Sequence, residues 1–265
     1  MAVHYHLDGH VAAVTLDSPR TLNALTLGDL EDLAAAWSAV DGDPDCYVAI
    51  VTGTGSRAFC SGADLGSLIP MITAQVASAN DARATLGSMD VIGRAFLKRP
   101  LSKPVIAAVN GYCVAGGLEL LQATDIRLAV PDARFSLQEA HWGLFPLGGS
   151  TVRLPKQVPY THAMDILLTG RMLSAAEALG CGLIGRVVEA SRLAEAAREI
   201  ADRIASNGPL AVQAIKRSVL ACMGLPEAEA FEVEIDIGAE VFASYDAREG
   251  SAAFMEKRPP VFRNE

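Results

Sequence analysis

Two glutamates and two glycine turns are the residues of this sequence best suited to carry chemistry. Phe59-Cys60-Ser61-Gly62-Ala63-Asp64-Leu65 and Asn110-Gly111-Tyr112-Cys113-Val114-Ala115-Gly116-Gly117-Leu118-Glu119 each end a short strand in a turn. Their glycines let a ligand approach the main-chain N–H groups closely. Gly116 stands at a helix start, where N–H groups lack intrahelical partners and the dipole favours developing negative charge. Two such donors converging on one oxygen form an oxyanion hole, each worth about 3 kcal/mol of transition-state stabilisation. Glu119 lies three residues past Gly116 and interrupts an apolar run, and Glu139 follows 20 residues later. An apolar site raises a carboxyl pKa, and a second carboxylate raises one of the pair further, which suits acid–base work on a proton near a carbonyl. Taken alone, the spacing also fits two surface glutamates, the commoner state of this residue.

Other templates fail or are absent. Gly53-Thr54-Gly55-Ser56-Arg57-Ala58 has the form of a dinucleotide-binding turn after a strand, but Gly62 follows too soon for the helix that motif requires. It reads as a glycine turn between strands. There is no G-x-S-x-G, no P-loop and no H-E-x-x-H. The cysteines at 46, 60, 113, 181 and 222 have neither zinc spacing nor an even count, so a reducing compartment and packing roles are expected.

The elements that must position these groups can be read from pattern. Residues 3–8 and 11–16 form a hairpin about Gly9, and Thr26 with Asp29 caps a helix whose apolar face is Leu27, Leu30, Leu33, Ala34, Trp37 and Val40. Strands follow at 48–52, 58–61, 105–109, 126–130 and 134–136, with a helix from Gly116 to about Thr124. Residues 66–98 show mixed helical patterning. After Pro159 the pattern is helical at 160–169, 174–180, 192–206, 210–222 and 227–258, with a brief strand at 186–189. Ser174 and Glu177 make a second capping box. This predicts an α/β core of repeated strand–strand–helix units over 1–200 and a helical C-terminal section over 201–265.

Composition bounds the function. At 265 residues, 51% hydrophobic and 20% charged, the chain is long and apolar enough for a real core. A net charge of −9 argues against a nucleic-acid partner. No segment reaches the roughly 20 apolar residues of a membrane span, and the N-terminus lacks the pattern of a signal peptide. A cytoplasmic location is expected.

The chain resembles the crotonase, or enoyl-CoA hydratase/isomerase, family. The likeness is carried in order by Pro19-Arg20-Thr21-Leu22-Asn23-Ala24-Leu25, by Ala58 to Leu65, and by Lys103 to Gly111 with the following Gly116-Gly117-Leu118-Glu119. It continues through Gly182-Leu183-Ile184, Asn207 to Val212, and Glu249-Gly250 to Pro259. The resemblance implies a spiral of ββα units that binds acyl-CoA thioesters with no metal and no separate cofactor, coenzyme A being part of the substrate. It implies a homo-oligomer, a trimer or a dimer of trimers. It assigns the oxyanion N–H groups to Ala63 and Gly116, the catalytic carboxylates to Glu119 and Glu139, and substrate contacts to Ala24, Asp64, Leu65, Phe254 and Lys257. Arg258 would add a second positive charge to that tail. Two glutamates favour a hydratase that adds water syn to a 2-trans-enoyl-CoA in fatty acid or related acyl-CoA metabolism. A Δ3-Δ2-enoyl-CoA isomerase, a specialised hydroxyacyl-CoA dehydratase and a non-catalytic acyl-CoA-binding protein are the alternatives. His141-Trp142 and Phe145-Pro146-Leu147 depart from the family's usual small aliphatics beside the acyl pocket, and His141 is a candidate third acid–base group.

Overall fold

A computed structural model describes residues 3–74 and 76–265. The strands are β1 (Val3–Asp8), β2 (Val11–Leu16), β3 (Val48–Gly53), β4 (Ala58–Cys60), β5 (Val105–Val109), β6 (Tyr112–Val114), β7 (Ile126–Ala129), β8 (Arg134–Ser136), β9 (Leu173–Ser174) and β10 (Arg186–Val187). The α-helices are α1 (Leu27–Gly42), α2 (Leu68–Thr73), α3 (Ala79–Ser88), α4 (Asp90–Ala95), α5 (Gly116–Gln122), α6 (Ser150–Gln157), α7 (Tyr160–Thr169), α8 (Ala175–Gly180), α9 (Leu193–Ala205), α10 (Pro209–Cys222), α11 (Glu227–Phe242) and α12 (Tyr245–Glu256).

The strands form two sheets, ordered β1-β2-β3-β5-β7-β10 and β4-β6-β8-β9. After the antiparallel β1–β2 hairpin, β2, β3, β5, β7 and β10 pair in parallel, as do β4, β6 and β8. Each turn of chain therefore lays one strand in the large sheet and the next in the small one. That is the expected spiral of ββα units. Strand β5 is buried at every residue, as its unbroken run Val105-Ile106-Ala107-Ala108-Val109 requires of a parallel strand covered on both faces. Helix α1 opens with the predicted Thr26–Asp29 capping box and buries Leu30, Leu33, Trp37 and Val40. Trp37 Nε1 donates to the Ala95 carbonyl at 3.0 Å, so the buried indole tethers the end of α4.

Two asparagine side chains, buried Asn23 and half-buried Asn110, fix the turn between β3 and β4. Asn23 Nδ2 donates to Ala58 O at 2.8 Å, and Asn110 Nδ2 donates to both Gly53 O and Gly55 O at 2.8 Å. The Gly53–Ala58 segment is thus a strand-to-strand turn, as expected, and opens no helix.

Two elements lie where the sequence pattern assigned none, and one expectation is corrected. Tyr112–Val114 is a strand, which its three residues between two glycine turns concealed. Ser150–Gln157 is a helix despite Pro155. The predicted single helix over 227–258 is two, because the Ser244 hydroxyl accepts the Ala247 N–H at 3.0 Å and starts a new helix after Phe242. Helix α9 covers β3 and β5, whereas α10 and α11 pack mainly on each other. Among the described residues, no helix is long and apolar enough to cross a membrane.

Candidate active site

The first glycine turn leaves β4 and is strapped by the segment before α1. Ser61 N–H donates to Leu22 O at 3.1 Å, Leu25 N–H to Gly62 O at 2.8 Å, and Asp64 N–H to Leu25 O at 2.9 Å. The strap takes up the groups on both sides of Ala63 and leaves its N–H without a protein acceptor among the described residues. The second turn leaves β6 through Ala115, held at φ 50° and ψ −124°, and enters α5 at Gly116. A non-glycine residue there stores on the order of 1–3 kcal/mol of strain, a cost characteristic of functional turns.

The two turns touch. A Cβ on Gly62 would sit 2.8 Å from the Gly116 nitrogen, and one on Gly117 would sit 2.1 Å from the Cys60 carbonyl oxygen. Only glycine permits that approach, and it sets the Gly62–Ala63 turn against Gly116.

The glutamates face this place from two directions. Glu119 is one turn into α5 and only 4% exposed. Its Oε1 accepts the Ser150 N–H at 3.2 Å, and its Oε2 lies against Gly148, where a Cβ would come within 2.5 Å. Burial pushes its pKa above 4.5, and the main-chain groups of Ser150, Gly148 and Gly149 pull back toward the charged form. Glu139 opens a single 3-10 turn (Glu139–Trp142) after β8. Its Oε2 is buried with no hydrogen-bond partner. Burial, with a further contribution from the Glu119 charge, raises its pKa to about 7. One carboxyl is thus held by N–H donors and the other is left to keep a proton.

A cavity of about 220 Å³ joins these groups. Ala63, Gly116, Glu119 and Glu139 all line it. Leu68, Ile72, Ile92 and Phe96, from α2, α4 and the residue after α4, make one wall, and Trp142, Phe145 and Leu147 make the other. Such a site takes an apolar chain beside a polarisable carbonyl. A larger hollow of about 460 Å³ between Pro100–Ser102 and α10–α11 contains none of the expected site residues.

Of the other expected residues, Leu65 lines the cavity and is 55% exposed at its mouth. Ala24 is half-buried in the strap. Asp64 accepts the Ser67 hydroxyl at 2.7 Å and shapes the turn into α2, outside the cavity lining. His141 is exposed and edge-on to Trp142, and it does not line the cavity. Phe254 is 82% exposed near the end of α12, and Lys257 follows it at φ 55°. The single chain does not bring either to the cavity. Arg258 differs from its expected role: it forks onto both Glu249 oxygens at 2.6 and 2.9 Å and also pairs with Glu256, so its charge is taken up within the tail. Cys60 and Cys113 are fully buried, with Cys60 pushed up to about 12 by burial, as suits packing residues.

Sequence reasoning missed two contributors. Ser150 belongs to none of the motifs read from the sequence, yet its N–H holds Glu119. Arg153 carried no motif, yet it reaches the carbonyls of Phe96, Leu97 and Gly148. The paired glycines before Ser150 were the available signal for the first, and nothing in the sequence signals the second.

The family profile described as enoyl-CoA hydratase/isomerase matches residues 7–265. The chain is 46% identical to enoyl-CoA hydratase EchA19 of Mycobacterium tuberculosis, over 97% of this chain and 94% of that protein. It is 38% identical to (E)-benzylidenesuccinyl-CoA hydratase of Thauera aromatica, over 99% of each. The crystal structure of an enoyl-CoA hydratase from Bacillus anthracis superposes with a TM-score of 0.89 at 33% identity, covering 100% of both chains.

Proposed function

Since this chain belongs to the enoyl-CoA hydratase/isomerase family, we propose that it adds water to a 2-trans-enoyl-CoA to give a 3-hydroxyacyl-CoA. The observation that carries the reading is the convergence of two free N–H groups and two unlike carboxyls on one apolar cavity. The Ala63 and Gly116 N–H groups receive the thioester oxygen, which draws electrons from C3 and makes it electrophilic. Glu119, ionised, takes a proton from water as its oxygen bonds to C3. Glu139, protonated, gives its proton to C2. Both carboxyls line the cavity, and on this reading water and proton arrive on the same face, a syn addition. The net change is one water added, with the glutamates exchanging protonation states and resetting through solvent. Proximity and preorganised dipoles supply most of the acceleration.

On this reading coenzyme A is part of the substrate, and Ala24, Asp64 and Leu65 border its path to the thioester. Phe254 and Lys257 meet its adenine and phosphate ends only in an assembly of several chains. The exposed apolar side chains of α10 and α11 support a homo-oligomer built on trimers, with 201–265 as its assembly section and 1–200 as its core. The same reading makes the protein cytoplasmic, with no nucleic-acid or membrane partner.

Incubation with crotonyl-CoA tests the reaction. Loss of the enoyl-thioester absorbance with formation of 3-hydroxybutyryl-CoA is expected. A Δ3-enoyl-CoA converted without uptake of water identifies the isomerase, and binding without turnover identifies a carrier.

A further inference from the structure

Arg153 is a half-buried guanidinium that the hydration chemistry does not use. Its hydrogen bonds end on main-chain carbonyls: Nη1 donates to Phe96 O at 2.9 Å and Gly148 O at 3.3 Å, and Nη2 donates to Leu97 O at 2.5 Å. Phe96 and Gly148 line the active-site cavity, and Leu97 directly follows Phe96. The Phe96 ring lies against Gly116, where a Cβ would meet its Cζ at 3.1 Å. Leu97 sits at φ 49°, a left-handed conformation that leucine does not hold without outside help. Gly148 packs on the Glu119 carboxylate, and Arg153 Nη1 lies 3.1 Å from the Cβ position of the next residue, Gly149. Guanidinium and carboxylate therefore sit on adjacent glycines of one turn, the turn whose Ser150 N–H also donates to Glu119.

We propose that Arg153 is a positioning residue that fastens the acyl-pocket wall at Phe96–Leu97 to the turn cupping Glu119 and keeps that glutamate ionised. The role rests on the reading of Glu119 as the base. The N–H groups of Ser150, Gly148 and Gly149 favour the anion but carry no net charge, and the other titratable groups around Glu119 add no positive charge. Glu139 shares the cavity and, when charged, has the wrong sign for the purpose. The strands packed on α5 bring Cys60 and Cys113, whose thiols burial keeps neutral. Arg127 is occupied at the C-terminal end of α5, donating to the carbonyls of Gln122, Thr124 and Leu183 and to Gln157. His141 is exposed at the rim. The Glu119 carboxylate favours the charged form of the Arg153 guanidinium.

The test is the titration of Glu119 itself, read by difference infrared spectroscopy and assigned by the band that Glu119→Gln removes. In Arg153→Met the carboxyl should stay protonated about one pH unit higher than in the wild type, the effect of losing a nearby opposite charge. Arg153→Lys, which keeps the charge, should restore most of that shift. The acid limb of kcat/KM on crotonyl-CoA should move with it, while KM changes less than kcat. Where Arg153→Met does not fold, Arg153→Gln keeps amide donors for the carbonyls and should show the same shift. A Glu119 titration unchanged in the folded neutral variant overturns the proposal. The infrared reading needs no turnover, so a wild-type protein that failed to hydrate crotonyl-CoA would overturn the functional reading and leave the Arg153 result standing on its own.

Discussion

A carboxyl whose pKa is about 7 is half protonated at neutral pH, and Glu139 is in that position because its Oε2 is buried without a partner. On the proposed mechanism its working form is the acid, so kcat/KM should fall as pH rises through about 7, and Glu139→Gln should remove that limb. On the same mechanism Glu119 works as the anion, so the opposite limb would belong to it and lie above the ordinary carboxylate value of 4.5. Each Glu→Gln change should lower turnover by about 10²–10⁴-fold with little effect on coenzyme A ester affinity. Near-normal turnover in either variant removes that residue from the mechanism. The same burial has a stability consequence. Glu139's folded pKa is raised, so its contribution is complete below 4.5 and is lost as pH climbs through about 7. At about 1.4 kcal/mol per unit the loss is on the order of 3 kcal/mol. Glu139→Gln should therefore melt higher than the wild type at pH 8 and close to it at pH 5, a comparison that calorimetry makes directly.

Between residue and molecule, the site is a property of how short elements meet. Gly117 lets α5 start against the Cys60 carbonyl, and a methyl group there has no room, at 2.1 Å from a main-chain oxygen. Gly117→Ala should shift the helix start, unpair the two oxyanion N–H groups and abolish measurable turnover. Gly116→Pro deletes one of those N–H groups outright and should cost at least about 10²-fold in kcat. A folded, active proline variant would show that the oxyanion donor is another group. Most of this was legible in the sequence, because strand–glycine turn–helix junctions with a glutamate one turn in announce themselves locally. The capped helices were legible for the same reason, Thr26 with Asp29 and Ser174 with Glu177 forming both boxes. The rest depends on groups far apart in the chain. Nothing near Arg153 reveals that its carbonyl partners lie 56 and 57 residues away, and nothing near Ser150 reveals a carboxylate 31 residues earlier. Tyr112–Val114 becomes a strand only because β4 and β8 flank it.

At the scale of the whole molecule, the C-terminal helices leave apolar side chains without cover. Ile215, Val219 and Met223 on or just after α10, and Phe231, Ile235 and Phe242 on α11, are between 46% and 83% exposed. Two helices that pack mainly on each other, with no buried residue on α11, gain little from burial within one chain. In the proposed assembly a copy of the chain would cover these faces, and Phe254 and Lys257 would then have a route to a substrate bound in another subunit. Sedimentation equilibrium should give a multiple of three chains. Phe231→Asp together with Ile235→Asp should release smaller species, since two carboxylates placed in an apolar interface cost several kcal/mol. Lys257 is the tail cation to watch, because Arg258 is already forked onto Glu249. Lys257→Ala should raise KM for coenzyme A esters several-fold at low ionic strength and less at 0.5 M salt, where screening lengths shrink to a few ångströms. The kcat at saturation should barely change, because the ammonium binds the distant phosphate equally in ground and transition states. An unchanged KM at low salt would make the tail a packing element only. A monomer in the centrifuge would remove the assembly and, with it, the route from α12 to the substrate.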